Sequence, residues 1–179
     1  QKFPNVFLVL VPRHFERGRE VGRELQERGV KFIFRSEITA GTQLQPGEVD
    51  CLLVNTTGEL KYFYEHATVI FVGKSLKGQG GQNPIEPGAL GKPMIFGPHM
   101  QNFSDIARNF VAQSGAMQVQ DAAGLETALA ELLGNPEKRE ELGRNARKVV
   151  RENLGAIERT VEMIVRNLGD QDIYIREIA

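Results

Sequence analysis

GKSLKGQGGQNPIEPGALGKPMIFGP, residues 73–98, is the stretch on which the reading of this chain turns. It begins where one short apolar strand, 69–72, ends, and it closes on a second, 94–96. Between the two strands stand six glycines, four of them ahead of Asn83-Pro84 and the carboxylate Glu86. Glycine lets a backbone approach a ligand closely and take up positive φ. A helix start just beyond, at 84–90, offers unpaired N–H groups to an anion. The plain structural alternative is a flexible loop. Six glycines held between two short apolar strands point instead to a shaped surface.

Working outward from this stretch, apolar runs at 6–11, 30–34, 51–54 and 116–119 complete a set of six strands. The run at 6–11 is continuous and β-favouring, as expected of a strand buried on both faces, and it stops at Pro12. Helices are expected at 15–28, where Val21 and Leu25 share a face, and at 58–66, 102–114, 121–133, 136–152 and 156–168. Asn135-Pro136 is a strong helix start, with proline at the first helical position. Residues 36–48 form a polar loop. Strands alternating with helices predict an α/β, Rossmann-like domain with a mostly parallel sheet over 1–134. A helical C-terminal tail follows over 135–179.

Composition narrows the function classes. With 41% apolar and 25% charged residues among 179, the chain has the makeup of a globular domain with a sizeable core. A net charge of -1 gives no global reason to expect nucleic acid, for which a basic face would be the first sign. One cysteine, Cys51, excludes an internal disulfide, and three histidines without close spacing give no metal-site signature. A reducing cytoplasmic setting fits that cysteine usage. No run is apolar for the roughly 18 residues needed to span a bilayer. A start on Gln1, with no signal-like leader, is expected of a piece of something longer.

In an open parallel α/β sheet, ligands bind outside the carboxyl ends of the strands. Those ends hold the unusual residues here: Pro12, Arg13 and His14; Asn55, Thr56, Thr57, Gly58 and Glu59; the glycine loop; and Gly97, Pro98, His99 and Asn102. Arg13 suits a phosphate or carboxylate, because its guanidinium presents a fork of donors. His14 or His99 can donate to a ligand oxygen, or simply satisfy a loop backbone. The step Thr57-Gly58-Glu59 precedes a helix, where it can hold an anion or act as an ordinary cap. Glu86 lies in a first helical turn, where the dipole favours a carboxylate in any case; its functional role would be to accept hydrogen bonds from two sugar hydroxyls. Gly73-Lys74-Ser75 is not a P-loop, since the earlier glycine would fall at Thr68. Gly78-Gln79-Gly80 is not the dinucleotide fingerprint, since Asn83 stands where glycine is needed. No Ser–His–Asp or Cys–His arrangement stands out.

Five motifs occur in order: Val11-Pro12-Arg13-His14 with Glu16-Arg17; Asn55-Thr56-Thr57-Gly58-Glu59-Leu60; Phe71-Val72-Gly73-Lys74-Ser75-Leu76; Gly80-Gly81-Gln82-Asn83-Pro84-Ile85-Glu86-Pro87; and Phe96-Gly97-Pro98-His99. Together they closely resemble the carboxyl-terminal half of 3-deoxy-D-manno-octulosonic acid (Kdo) transferases, from about residue 6 to 119 and loosely beyond. The resemblance implies a GT-B architecture of two Rossmann-like halves. It implies an inverting transfer of Kdo from CMP-Kdo to a lipid A precursor, at the cytoplasmic face of the bacterial inner membrane. This half would hold the donor nucleotide. Arg13, with His14 beside it, would meet the donor's negative charge, and Thr57, Gly58 and Glu59 would offer backbone donors near phosphate and cytidine. Gly80, Gly81, Gln82, Asn83 and Glu86 would complete the donor site, with Glu86 on the ribose hydroxyls. No metal or other cofactor is expected, because arginine and helix termini can neutralise one phosphate.

The resemblance also implies that the general base, the acceptor surface and the membrane contact belong to the amino-terminal half, so that this stretch alone is inactive. It departs from the family at Gln82, commonly histidine, and at Lys74, commonly glycine. A first strand, central in the Rossmann order 3-2-1-4-5-6, is expected to be missing. Either a gap or direct pairing of 6–11 with 51–54 should result. The alternatives are a GT-B glycosyltransferase or epimerase that uses a UDP-sugar, and a non-catalytic nucleotide-binding module.

Overall fold

The computed structural model describes residues 3–155, and the helix expected at 156–168 lies outside them. The chain divides into two compact units, 1–70 and 71–179.

In the first unit, β1 (Leu8–Leu10), β2 (Phe32–Phe34) and β3 (Cys51–Leu53) form a three-stranded sheet in the order β1-β3-β2. Both pairings are parallel, with Leu8 and Phe32 flanking Cys51 on either side. Of the two outcomes expected for the missing strand, direct pairing of β1 with β3 is the one found. The order nevertheless departs from the Rossmann pattern, which would set β2 beside β1. β3 is the strand of the three whose every residue is buried, so it takes the middle place, where both faces and both edges are covered.

The expectation that 6–11 is buried on both faces is therefore corrected. β1 is an edge strand hydrogen-bonded on one side, and Leu8 remains 47% exposed with Val6, Phe7 and Val9 also open. Helix α1 (Gly18–Glu27) returns the chain and buries Leu25 against Cys51 and Leu53, with Leu10, Val21, Val30, Phe32 and Phe34 packed around them. Burial pushes the Cys51 thiol up to about 11, so it stays protonated and inert at neutral pH. A short helix, α2 (Leu60–His66), follows β3.

In the second unit, β4 (Ile70–Val72), β5 (Met94–Phe96) and β6 (Met117–Gln118) are ordered β4-β5-β6, with β5 and β6 parallel. Among the described residues, four α-helices accompany them: α3 (Ile85–Ala89), α4 (Ser104–Ala112), α5 (Ala122–Gly134) and α6 (Pro136–Leu154). Asn135 caps α6 as its sequence promised, its side chain accepting the Lys138 N–H at 3.0 Å ahead of Pro136. The buried stripe Leu142, Ala146, Val149 and Val150 recurs at helical spacing and turns α6 onto α3, α4 and α5. Phe96, Phe110, Met94, Ile95 and Leu132 fill the core.

One buried hydroxyl joins the turns that leave β4 and β5. Ser75 Oγ donates to the Val72 carbonyl at 2.6 Å and accepts the Gly97 N–H at 2.8 Å. The Ser75 carbonyl accepts the His99 N–H at 2.9 Å. Ser75→Ala leaves a buried donor and a buried acceptor unpaired, and urea unfolding should show a loss of about 1–3 kcal/mol. In the first unit, Leu53→Ala should cost about 2–5 kcal/mol. Leu8→Thr, on the exposed edge, should stay within about 0.5 kcal/mol. Equal losses at Leu53 and Leu8 would contradict the placement of β3 at the centre.

Candidate functional site

Because its strands run parallel, the first unit brings the turns after β1, β2 and β3 to one end of the sheet. Asn55, just past β3, accepts the Ser36 N–H at 3.1 Å and donates to Ser36 Oγ at 2.9 Å, tying the exits of β2 and β3 together. Phe15, Glu16, Gly18, Arg19, Phe34 and Asn55 line an open cleft of about 470 Å³ at this end. Arg13 and His14 lie exposed in the turn between β1 and α1.

The turn from β3 into α2 is shaped by Gly58, whose φ of +82° is a left-handed conformation that a side chain would strain. Thr57 and Gly58 are exposed, and the backbone N–H groups of Thr57, Gly58 and Glu59 have no acceptor among the described residues. The Glu59 carboxylate faces inward to neighbours. Its Oε2 accepts from Thr56 Oγ1, and its Oε1 accepts from Arg35 Nε at 3.0 Å and Nη2 at 2.7 Å. The Thr56 hydroxyl and the Arg35 guanidinium hold this carboxyl below the usual carboxylate range, against the opposing effect of burial. Glu59 thus acts through its side chain as an anchor and offers only its backbone outward.

The second unit gathers the turn after β4, the glycine loop and the turn after β5. The loop is bolted in place by its own backbone. Gly81 N–H donates to the Lys74 carbonyl at 3.0 Å, and Gln82 N–H donates to that of Gly73 at 3.1 Å. Gly80 N–H donates to Gln101 Oε1 at 2.8 Å, and the Gly80 carbonyl accepts from Asn102 N–H at 3.0 Å. A Cβ on Gly80 would come within 2.7 Å of the Asn102 side chain, and one on Gly81 within 2.5 Å of Met100 Sδ. The positive φ of both, +102° and +70°, would strain a side chain on conformational grounds as well. Packing therefore accounts for these two glycines: the segment is a shaped surface rather than a flexible loop. Lys74, standing where glycine was expected, itself holds a φ of +57°.

Asn83 and Glu86 form a bracket at the start of α3. Asn83 Oδ1 accepts the Ile85 N–H at 2.9 Å, and Asn83 Nδ2 donates to Glu86 Oε1 at 2.9 Å. Glu86 is exposed, and its second carboxylate oxygen has no partner among the described residues. An oriented carboxylate with one oxygen open to solvent can accept hydrogen bonds from hydroxyl groups of a ligand.

Arg13, His14, Thr57, Gly58 and Glu59 thus belong to the first unit, and Gly80, Gly81, Gln82, Asn83 and Glu86 to the second. The supporting roles of three residues escaped the sequence reading: Arg35, Gln101, and Ser75, which was quoted within a motif but given no task. Arg35 had a legible signal, since it directly follows the second strand, at the same end of the sheet as Arg13 and Asn55. Ser75 and Gln101 carried none, because their partners are backbone groups about 20 residues away. Among the described residues, no group of three or more His, Cys, Asp or Glu side chains is placed to hold a metal ion.

Comparison with known proteins agrees with this architecture. The family of glycosyl transferases group 1 matches residues 43–149. The 3-deoxy-D-manno-octulosonic acid transferase of Haemophilus influenzae is 38% identical over 164 residues, covering 91% of this chain and 38% of that protein. Its Bordetella pertussis counterpart is 38% identical over 167 residues, covering 93% and 38%. The chain spans about two-fifths of the length of these curated relatives. The crystal structure of the C-terminal CMP-Kdo binding domain of WaaA from Acinetobacter baumannii is 33% identical, with a TM-score of 0.74, covering 80% of this chain and 73% of that one. The resemblance carried by the five motifs therefore holds over most of the sequence, and the chain belongs to the group 1 glycosyl transferases.

Proposed function

We propose that this chain binds CMP-Kdo and forms the donor side of an inverting glycosyltransferase that moves Kdo onto a lipid A precursor. The observation that carries the reading is the likeness, at 33% identity and a TM-score of 0.74, to a domain described as binding CMP-Kdo. Relatives named as Kdo transferases, at 38% identity over about nine-tenths of the chain, support it. In this reading residues 1–134 carry the donor-binding residues, and α6 packs against α3, which follows Asn83.

Each group has a physical task. Arg13 supplies a permanent positive charge to the donor's anionic groups, with His14 beside it as a further donor. The N–H groups of Thr57, Gly58 and Glu59 donate to the phosphate and to the edge of the cytosine without requiring another charge. Asn83 turns the Glu86 carboxylate so that its open oxygen can take the ribose hydroxyls. The tethered segment Gly80-Gly81-Gln82 gives the donor a rigid wall, and rigidity lowers the entropy lost on binding. Charge neutralisation by arginine and backbone makes a metal or other cofactor unnecessary.

The chemistry of the acceptor lies elsewhere in the longer protein. Its hydroxyl needs a positioned proton acceptor, which this reading assigns to the amino-terminal half along with the lipid A surface. This chain alone then binds donor without turning it over. No described helix is long and apolar enough to cross a membrane; contact with the cytoplasmic face of the inner membrane belongs to the full-length protein.

Titration calorimetry with CMP and UDP tests the reading. The chain should bind CMP more tightly than UDP. Glu86→Ala and Arg13→Ala should each weaken CMP by roughly tenfold or more, as expected when a charge-assisted hydrogen bond is removed. Absence of CMP binding, tighter binding of UDP, or undiminished affinity in both variants would overturn it.

A further inference from the structure

Arg35 is a cation whose every donor nitrogen is committed within the protein. Its Nε and Nη2 converge on Glu59 Oε1 at 3.0 and 2.7 Å, and its Nη1 donates to the Ile38 carbonyl at 3.3 Å. The pair is only about one-third exposed, at 33% for Arg35 and 27% for Glu59, so solvent screens it less than a surface pair. It spans 24 residues of sequence and fastens the exit of β2 to the turn that leaves β3.

What it fastens is specific. Glu59 directly follows Gly58, the left-handed residue of a turn whose N–H groups at Thr57, Gly58 and Glu59 have no acceptor among the described residues. A turn set by one glycine has little stiffness of its own, because glycine occupies both halves of φ space at similar cost. Without a tether, these three donors would sample many directions. Thr56 Oγ1 grips the other Glu59 oxygen, and the Asn55–Ser36 pair sits one turn away, so the turn is held from both flanks. The hydrophobic packing of β3 needs none of this, since its buried residues end before the turn begins.

We infer that Arg35 is a positioning residue for donor binding: through the Glu59 carboxylate it fixes the Thr57-Gly58-Glu59 turn in the orientation that presents its N–H groups to the nucleotide. Arg35 itself does not touch the ligand. The inference rests on the donor reading given above and adds to it a residue outside the five motifs.

A double-mutant cycle on the full chain tests it, read as CMP affinity by calorimetry, with the melting temperature recorded alongside. Arg35→Ala and Glu59→Gln should each weaken CMP by about tenfold, and the double variant should be no worse than either single one. Arg35→Lys keeps the charge but loses the fork, and it should recover part of the affinity lost in Arg35→Ala. A purely structural role would lower the melting temperature in step with affinity and give no lysine recovery. Additive losses, or wild-type affinity in Arg35→Ala, would overturn the inference while leaving the donor reading intact. If Arg35→Ala does not fold, Arg35→Lys and Glu59→Gln decide: unchanged CMP affinity in both overturns it. A wild-type chain that fails to bind CMP overturns the donor reading itself, and the inference with it.

Discussion

The buried hydroxyl of Ser75 is the constraint on which the second unit's functional surface depends. By donating to Val72 and accepting from Gly97, it locks the exit of β4 to the exit of β5. The glycine loop then hangs from the same framework, through Gly73 and Lys74 on one side and Gln101 and Asn102 on the other. Remove the hydroxyl and a backbone N–H is stranded where no water can reach it. The first unit solves the same problem differently. There the strand exits are joined by the side chains of Arg35 and Asn55 rather than by a buried serine. In both units, side-chain ties at the carboxyl ends of the strands turn separate loops into a fixed surface.

This arrangement explains why the residues of the five motifs take two kinds of work. Gly80 and Gly81 are demanded by packing, with Asn102 and Met100 occupying the space a side chain would need. Glu59 and Asn83 hold neighbouring groups in place. The groups left facing outward are the N–H groups of the Gly58 turn and one oxygen of Glu86, and Arg13 is exposed. A motif shared with Kdo transferases is thus mostly scaffold, with a few exposed donors and acceptors that the scaffold aims. Lys74 is a local exception: it adopts a left-handed conformation where glycine would be less strained.

The α/β class and the helix starts were legible in the sequence because they depend on local patterns. Alternating apolar runs and helical periodicity located β3, β5 and α6 nearly to the residue, and Asn135-Pro136 marked its helix start unaided. Burial of 6–11 was misread because an apolar run records a strand's preference for cover, and β1 is paired along one edge only. The strand order escaped for a related reason: which neighbour a strand takes is settled by competition among edges, which no local pattern records. At the site, chemistry-bearing residues were legible as types at strand ends. Their ties were not. Arg35 to Glu59 and Ser75 to Gly97 are contacts across more than 20 residues, and no local spacing encodes them.

The central claim is that the exposed donors and acceptors held at the strand ends are those that the proposed cytidine monophosphate donor engages. Amide chemical-shift mapping of the full chain during a CMP titration tests this most directly. The account predicts that the signals of Thr57, Gly58 and Glu59, and those of Asn83, Ile85 and Glu86, shift as CMP is added. Unmoved signals at these residues in the presence of saturating CMP would contradict it.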